Sequence, residues 1–337
     1  MSKELVLEVK NLVKHFPIMS RGILWKKQGG VIHAVEGVNF SVHKGETYGL
    51  VGESGCGKTS TARAILYLDP PTAGEVYFEG EEVGRIFKSK DHSAILSLRR
   101  KMQYVFQNPY ASLDPRMTVA DIIMEPFMIH GHVPKDKWHD RLYELLELVG
   151  LEDYHAERYP HEFSGGQRQR ICIARALAVE PQLLIADEPV ASLDVSVRAQ
   201  ILNLLQELQQ KLKMTYLYIS HDLSTVRHIC HRVAVMYLGK FVEVADTDEL
   251  FDSPLHPYTQ ALMSSIPIPD PQAKSSRITL PGEVPSAINP PAGCRFQPRC
   301  VYAKEYDCVK NTPKLIDLGE GHLVACTKVR RASMATQ

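Results

Sequence analysis

The amino-acid sequence predicts an α/β fold with a mostly parallel sheet. The short apolar strand Thr47 to Val51 runs into a glycine-rich turn and then into a helix from Lys58 to about Leu68. The run Leu183 to Ala186 is continuously apolar, which is typical of a parallel strand that is buried on both faces. Strands that alternate with helices along the chain indicate an α/β architecture.

The other elements are expected in the following order. A Gly- and Lys-rich loop, Arg21 to Gly30, separates the first two strands. From Thr118 to about Arg175 apolar residues recur at helical spacing, and a further helix is expected from about Val197 to Lys211. The remaining strands are expected at Leu5 to Val9, Gly37 to Val42, Glu75 to Glu79, Met102 to Phe106 and Thr215 to Ile219.

Composition limits the classes of protein that the chain can represent. It has 337 residues, which at roughly 150 residues per domain suggests about two domains. The 39 basic and 39 acidic side chains balance, which argues against a nucleic-acid binder with a broad basic face. No apolar run approaches the ~20 residues that span a bilayer, and Met1 to Lys10 lacks the apolar stretch of a secretory signal. We therefore expect a cytosolic chain whose link to a membrane comes through a partner.

The segment Gly52 to Thr59 matches the phosphate-binding pattern G-x-x-x-x-G-K-[ST] at every position, between a strand and a helix. Its glycines let backbone N–H groups converge on an anion, and the helix N-terminus adds the positive end of its dipole. Lys58 is expected to reach the outer phosphates and Thr59 to ligate Mg²⁺. Cys56 is interpreted as a small residue that fits the loop, with a lowered pKa as the alternative. The predicted nucleotide-binding residues here are Gly52, Glu53, Ser54, Gly55, Cys56, Gly57, Lys58, Thr59 and Ser60.

Polar side chains at the ends of neighbouring strands indicate a hydrolysis apparatus. Asp187 and Glu188 follow a buried strand and point to opposite faces, so Asp187 suits Mg²⁺ and Glu188 suits a general base for an attacking water. A helix cap is the alternative for this acidic pair. His221 closes a second strand at the edge where ligands gather, and it is a candidate to contact the γ-phosphate. Gln107 ends a third strand and is a candidate ligand of Mg²⁺ or of the water.

The segment Phe163 to Gln167 reads Phe-Ser-Gly-Gly-Gln and lies about twenty residues before Asp187. With the phosphate loop, Gln107, the segment Ala191 to Asp194 and His221 in the same order, the sequence resembles the ATPases of ABC transporters. The resemblance implies a P-loop ATPase fold with an inserted α-helical subdomain and a loop-rich, Cys-containing C-terminal extension. The implied domains are 1–107 with 176–240 for the ATP-binding core, 108–175 for the helical subdomain, and 241–337 for the extension.

The resemblance also implies a mechanism. Two such subunits dimerise head to tail, and each ATP is held between the phosphate loop of one subunit and the signature motif of the other. Phe16 matches the family's aromatic residue that stacks on adenine, with a buried core Phe as the alternative. Asp194 is expected at the dimer seam. The residues of the signature are Ser164, Gly165, Gly166 and Gln167.

Three further stretches resemble the ATPase pair of di- and oligopeptide importers: Gln107 to Pro115, His256 to Leu262 and Pro290 to Cys294. This implies a second homologous ATPase, two transmembrane permease subunits, an extracytoplasmic peptide-binding protein, and a peripheral place on the cytoplasmic face of the membrane. No nucleic-acid partner is expected. Importers of oligosaccharides or nickel complexes remain alternatives, as do a soluble ABC ATPase that acts on DNA or ribosomes and a non-catalytic regulatory subunit.

Beyond Gly239 the chain is rich in proline, which predicts a loop-rich extension that a large apolar core cannot hold. Four of the seven cysteines lie there, without a Cys-x-x-Cys pair. Four thiolates can bind either Zn²⁺ or a [4Fe–4S] cluster, and free thiols are the third possibility. In the resembled subfamily the matching positions hold a [4Fe–4S] cluster. The cysteines are Cys294, Cys300, Cys308 and Cys326.

Overall fold

The computed structural model of the protein describes residues 4–21, 26–266 and 277–330. The chain divides into two compact units. The first comprises Met1–Val6, Val42–Thr47 and Gly84–Ile219, and the second comprises Leu7–Ser41, Tyr48–Val83 and Ser220–Gln337.

The elements alternate along the chain as an α/β fold requires. The strands are β1 Leu5–Arg21, β2 Lys26–His43, β3 Thr47–Val51, β4 Ala73–Phe78, β5 Glu81–Glu82, β6 Met102–Val105, β7 Leu183–Asp187, β8 Thr215–Ser220, β9 Arg232–Tyr237, β10 Lys240–Asp246, β11 Ile316–Asp317 and β12 Leu323–Val324. The helices are α1 Lys58–Ile65, α2 Val83–Ser89, α3 His92–Lys101, α4 Pro109–Ser112, α5 Val119–His130, α6 Trp138–Leu148, α7 Gly165–Leu177, α8 Val195–Leu212, α9 Leu223–Ile229, α10 Thr247–Asp252 and α11 Pro257–Met263.

In the first unit the strands β6, β7 and β8 are parallel, with β7 in the middle. Every residue of β7 is buried, as its apolar run predicts. The helix α7 packs against α5, α6 and α8. Because parallel strands in register end at one edge, Asp187 lies opposite Ile219, and Ala186 lies opposite Val105. Gln107 and Glu188, which follow β6 and β7, therefore lie within hydrogen-bond distance at that edge.

In the second unit β9 pairs in parallel with β3 and antiparallel with β10. The short strands β12 and β11 extend β10 at its other side. A separate sheet has the order β2–β1–β4–β5. The mixed α/β class predicted from the sequence is confirmed. No helix within the described ranges is both long and apolar enough to cross a membrane.

The N-terminal strands are longer than the sequence predicts. The strand expected to end at Val9 continues to Arg21: it passes a bulge between Lys10 and Val13, remains paired with β4 as far as Val13, and has β2 as its other neighbour in the sheet. Asn11 takes a left-handed φ of 46° in this bulge, which interrupts the alternation of apolar residues. Of the loop expected from Arg21 to Gly30, residues 22–25 lie outside the described ranges, and the chain from Lys26 onward belongs to β2.

Two other expectations need correction. The helix α1 ends at Ile65 rather than near Leu68. The part beyond Gly239 is less uniformly loop than expected: β10, α10 and α11 form between Lys240 and Met263, whereas residues 277–330 contain only short elements. Pro257 occupies the first turn of α11, where the missing N–H costs no hydrogen bond, so proline starts this helix instead of breaking it.

Candidate nucleotide site

The glycine-rich loop connects β3 to α1 with a backbone that only glycine adopts without strain. Gly52 has a φ of 151° and Gly57 a φ of 113°. A Cβ atom on Gly52 would overlap the carbonyl oxygen of Met236, and one on Gly57 would overlap that of Ala34. The two glycines thus combine an unusual backbone with a close approach to neighbouring chain, as an anion-binding loop at a helix start requires.

Lys58 is the charged centre of this loop. Its side chain is buried, and Nζ donates hydrogen bonds to the carbonyl oxygens of Gly52 at 2.7 Å and of Glu53 at 3.1 Å. The ammonium group is therefore held within the loop by neutral acceptors. An anionic ligand in the loop is a stronger partner for the same ammonium than these carbonyls are. Thr59 is exposed and Ser60 is half-buried at the start of α1.

Cys56 is buried within the loop, and burial raises the pKa of its thiol although the charge of Lys58 opposes the rise. The alternative of a lowered pKa is therefore wrong for this structure. A Cβ on Gly52 would crowd the sulfur of Cys56, so the thiol fills space beside that glycine. Its interpretation as a small residue that fits the loop agrees with these contacts.

The first unit brings the predicted hydrolysis residues of β6 and β7 together. Nε2 of Gln107 donates a 2.8 Å hydrogen bond to Oε2 of Glu188. Asp187 is buried, and the hydroxyl of Tyr104 donates to its Oδ2 at 2.5 Å. Glu188 is half-buried and has a left-handed φ of 48°, a strained backbone of the kind that clusters at functional sites. The two consecutive carboxylates thus have different environments, and the left-handed backbone at Glu188, which lies beyond β7, separates them instead of the predicted strand alternation.

The sequence did not predict Tyr104 as part of this site. It is the third residue of β6, and only the parallel pairing of β6 with β7 places its hydroxyl against Asp187. His221 follows the last residue of β8 and is exposed. Phe16 is half-buried, with Nζ of Lys14 4.8 Å from its ring centroid, so it is not the core residue that was the alternative.

The signature motif forms the start of α7. Ser164 is the N-cap: its Oγ accepts from the N–H of Gln167 at 3.3 Å, and its own N–H donates to Oε1 of Gln167 at 3.1 Å. This reciprocal pair is a capping box. Gly165 and Gly166 form the first turn, and a Cβ on Gly166 would overlap Cγ1 of Val197 in α8. The predicted signature residues Ser164 and Gln167 therefore also form the N-terminal cap of α7.

Asp194 is the N-cap of α8. Its Oδ1 accepts from the N–H of Val197 at 3.0 Å and from the hydroxyl of Ser196 at 2.8 Å. Both hydrogen bonds lower the pKa of Asp194, and the bond from the Val197 N–H has the larger effect. The side chain is exposed. Its local role is to start the helix against which Gly166 packs.

The four C-terminal cysteines converge. The N–H of Cys294 donates to the carbonyl of Cys308 at 2.9 Å. Burial, and then the charges of the other three cysteines, raise the pKa of Cys294 to about 12. Burial also raises the pKa values of Cys300 and Cys308, and Cys326 contributes to both shifts. Four thiolates gathered in this way are unfavourable unless a cationic centre compensates their charge.

The spacing of these sulfurs differs from that of a compact metal site. Within the described ranges, the only group of three or more candidate ligands with all its atoms within 4.8 Å of one another is His15, His33 and Glu36. No three of the cysteine sulfurs are therefore that close. A tetrahedral zinc ion with Zn–S bonds of about 2.3 Å would draw them closer than this.

The group of His15, His33 and Glu36 is explained by hydrogen bonds. Oε2 of Glu36 lies 3.3 Å from Nε2 of His15, 2.9 Å from Nδ1 of His33 and 2.9 Å from a guanidinium nitrogen of Arg295. Although partial burial raises it, these bonds together lower the pKa of Glu36. One carboxylate oxygen is thus already paired with a cation.

Comparisons with known proteins agree with this geometry. Residues 35–191 match the family model described as ABC transporter, and residues 242–308 match that of the oligopeptide/dipeptide transporter C-terminal region. The oligopeptide transport ATP-binding protein AppF of Bacillus subtilis (strain 168) is 50% identical over 327 residues, which cover 96% of this chain and 98% of that protein. The chain belongs to the ABC transporter family. The resemblance inferred from the phosphate loop and the signature is thereby confirmed.

Another relative and a solved structure resemble the chain at different distances. The probable peptide ABC transporter ATP-binding protein y4tS of Sinorhizobium fredii is 48% identical over 95% of this chain and 89% of its own length. Among solved structures, the dimeric post-hydrolysis state of the ATP-binding cassette MJ0796 bound to ADP and Pi is 29% identical. It superposes with a TM-score of 0.61 over 72% of this chain and 98% of its own. The ABC ATPase fold is therefore shared.

Proposed function

We propose that this chain is the ATP-binding and ATP-hydrolysing subunit of an ABC importer of di- and oligopeptides. The observation that carries the ATPase role is the glycine loop that holds the buried ammonium of Lys58 at the start of α1. The match of residues 242–308 to the C-terminal region of oligopeptide and dipeptide transporters supports the peptide cargo. The relatives named as peptide transport proteins support it further.

In this proposal the loop binds the triphosphate through its backbone N–H groups and the helix dipole. Lys58 exchanges the carbonyls of Gly52 and Glu53 for phosphate oxygens. Thr59, Asp187 and Gln107 are the proposed holders of Mg²⁺, which prefers oxygen ligands and neutralises phosphate charge when bound. The hydrogen bond from Tyr104 fixes the orientation of the Asp187 carboxylate. Phe16, with one ring face near Lys14, is the proposed platform for adenine.

Glu188 is proposed as the general base. Its carboxylate accepts the proton of the water that attacks the γ-phosphate, and such a base contributes about 10²- to 10⁴-fold to the rate. The amide of Gln107 holds that carboxylate in one orientation. His221 is proposed to contact the γ-phosphate and to orient the water. Two residues that hydrogen-bond to each other, Gln107 and Glu188, therefore share the edge of the sheet where hydrolysis occurs.

The proposal includes a second ATPase subunit. The capped start of α7, Ser164 to Gln167, presents a further helix N-terminus, which suits the phosphates of a nucleotide bound by the partner. Asp194 is proposed to lie at the seam. ATP favours closure because the signature contacts it only in the closed state. Two permease subunits hold the pair at the cytoplasmic face of the membrane, and a peptide-binding protein delivers the cargo. Within this chain, 1–107 with 176–240, 108–175 and 241–337 are the proposed domains.

The four cysteines are proposed to hold a [4Fe–4S] cluster that stabilises the C-terminal extension. The mutual proximity of Cys294 and the other three cysteines supports a shared site. The choice of a cluster over a zinc ion comes from the resemblance to the ATPases of peptide importers. Iron and sulfide analysis, with an absorbance spectrum of anaerobically purified protein, tests this. If the protein contains stoichiometric zinc and no sulfide, the site is a zinc site and not a cluster. If the protein is fully stable without any metal, the four cysteines are free thiols.

The decisive experiment for the function uses the protein assembled with its permease subunits and second ATPase in proteoliposomes. ATP hydrolysis is expected to rise when a peptide-loaded binding protein is added, and to fall to background in the Glu188→Gln variant. If an oligosaccharide or a nickel complex stimulates ATP hydrolysis and peptide does not, the transported substrate is that compound and not a peptide. Absence of any nucleotide binding by the assembled complex would contradict the ATPase role itself.

A further inference from the structure

The acidic residue of the phosphate loop, Glu53, is held by two residues from the far end of the chain. The guanidinium of Arg299 donates to both carboxylate oxygens of Glu53, at 2.8 Å and 3.3 Å. The backbone N–H of Glu53 donates to the hydroxyl of Tyr258 at 2.9 Å. Both the side chain and the backbone of this loop residue are thus fixed by the C-terminal region.

A carboxylate at this place poses an electrostatic problem. Glu53 follows Gly52 directly in a loop whose other features, Lys58 and the start of α1, favour anions. An unpaired negative charge there would repel a triphosphate and compete for Lys58. Arg299 neutralises the charge of Glu53 through two parallel hydrogen bonds, the geometry that arginine commonly forms with carboxylates. The Arg299 side chain is 9% exposed and that of Glu53 is 29% exposed, so the pair is partly shielded from solvent.

Arg299 is held in place by contacts within the chain itself. It ends the short 3₁₀ turn Gln297–Arg299, and its N–H donates to the carbonyl of Phe296 at 3.0 Å. Phe296 is buried, with its ring centroid 5.5 Å from that of Tyr258 and 5.2 Å from that of Tyr237. The two residues that hold Glu53 therefore rest on one aromatic cluster, and neither has to find its place during binding.

We propose that Arg299 is a positioning residue for the nucleotide site, which acts through Glu53 to keep the phosphate loop in its anion-binding form. It touches no phosphate in this scheme. Its effect on the nucleotide has two origins: it neutralises the charge of Glu53, and with Tyr258 it fixes the first turn of the loop. The proposal rests on the proposed ATP-binding function, because its consequence is a change in nucleotide affinity.

The test is a double-mutant cycle on equilibrium binding of a fluorescent ATP analogue to the full-length protein. Arg299→Gln is expected to weaken binding about 10- to 100-fold, since breaking a partly buried ion pair leaves the charge of Glu53 unpaired beside the phosphates. In the Glu53→Gln background the same arginine substitution is expected to change affinity by less than about threefold, because the charge it neutralises is gone. Arg141→Gln is the matched control, because Arg141 pairs instead with Glu144 and Glu180.

Equal weakening by Arg299→Gln in both backgrounds would overturn the proposal, and so would unchanged affinity in the single variant. If Arg299→Gln fails to fold by circular dichroism, Arg299→Lys replaces it. Lysine keeps the charge but loses the two-bond geometry, so we expect an intermediate loss that Glu53→Gln again suppresses; no loss, or an unsuppressed one, overturns the proposal. A wild-type protein that binds no analogue would instead refute the ATP-binding function, which distinguishes the two failures.

Discussion

The side-chain amide of Gln107 donates a 2.8 Å hydrogen bond to the carboxylate of Glu188, across the ends of the parallel strands β6 and β7. This bond holds the carboxylate of Glu188 in one orientation. The left-handed backbone at Glu188 turns the residue out of the strand direction that Asp187 still follows. The two adjacent acidic residues therefore differ in backbone conformation and in hydrogen-bond partner.

Removal of the base should separate binding from turnover. Glu188→Gln is expected to keep nucleotide affinity and to lower the hydrolysis rate by ~10²- to 10⁴-fold, the usual contribution of a general base. Gln107→Ala should lower the rate by about tenfold or more, because it frees the carboxylate and also removes a proposed ligand of Mg²⁺. Gln103→Ala, whose amide donates to the carbonyl of Arg99, is the control, four residues earlier in β6. Near-normal turnover in Glu188→Gln would remove this residue from the role of base.

Loss of the buried ammonium should act on binding instead. Lys58→Ala is expected to weaken Mg-ATP binding about 10- to 100-fold, the worth of one or two hydrogen bonds to a charged group. The carbonyls of Gly52 and Glu53 would also lose their donor. Isothermal titration with ATP measures the effect, and Lys44→Ala, an exposed lysine that pairs with Glu4, is the control. Unchanged affinity in Lys58→Ala would contradict the assignment of the loop.

Packing beneath the signature motif gives a prediction about stability. A Cβ on Gly166 overlaps Cγ1 of Val197, so Gly166→Ala should lower the free energy of unfolding by about 1–3 kcal/mol, as overpacked substitutions do. Val197→Ala in the same chain should restore part of that loss. Gly165→Ala, whose Cβ would meet only the flexible end of Leu193, is the milder control. Urea titrations measure all four proteins; a Gly166→Ala variant as stable as wild type would show that α7 and α8 separate freely.

The features that the sequence predicted are those that reside in short segments. The phosphate loop, the acidic pair and the signature are each a few consecutive residues, so their local geometry follows from glycines, strand ends and helix caps. The alternation of strands and helices was likewise enough for the fold class. In these cases the interactions that determine the structure occur between residues close together in the chain, so they can be predicted from a single sequence.

The features that it missed depend on residues distant in the chain. Nothing in the sequence connects Arg299 with Glu53, or Tyr104 with Asp187, because only the folded chain brings them together. The sequence underestimates the length of β1 because the extra residue in the bulge at Asn11 interrupts the alternation of apolar and polar residues that indicates a strand. Proline counts beyond Gly239 suggested loops, whereas Pro257 serves as the first turn of α11.

Two histidines at the C-terminal region should make stability depend on pH in opposite directions. Nε2 of His322 lies 2.7 Å from Oε1 of the buried Glu243, and this hydrogen bond raises the pKa of His322. Its contribution is complete below the unfolded value of about 6.5 and is lost as pH rises through the folded pKa. Burial lowers the pKa of His256 to about 4, so folding there disfavours the proton. That contribution is complete above about 6.5 and is lost as pH falls toward 4.

We therefore expect the free energy of unfolding to be greatest near neutral pH and to fall on both sides. The acid loss from His256 alone amounts to about 3 kcal/mol, because a shift of roughly two units or more is worth 1.4 kcal/mol per unit. His256→Asn keeps an acceptor for the N–H of Tyr258 and should flatten the acid side. His322→Gln should flatten the alkaline side, and the exposed His139→Gln should alter neither. Urea titrations at about pH 4, 6.5 and 8 distinguish these outcomes; an acid loss of wild-type size in His256→Asn would show that a different group controls it.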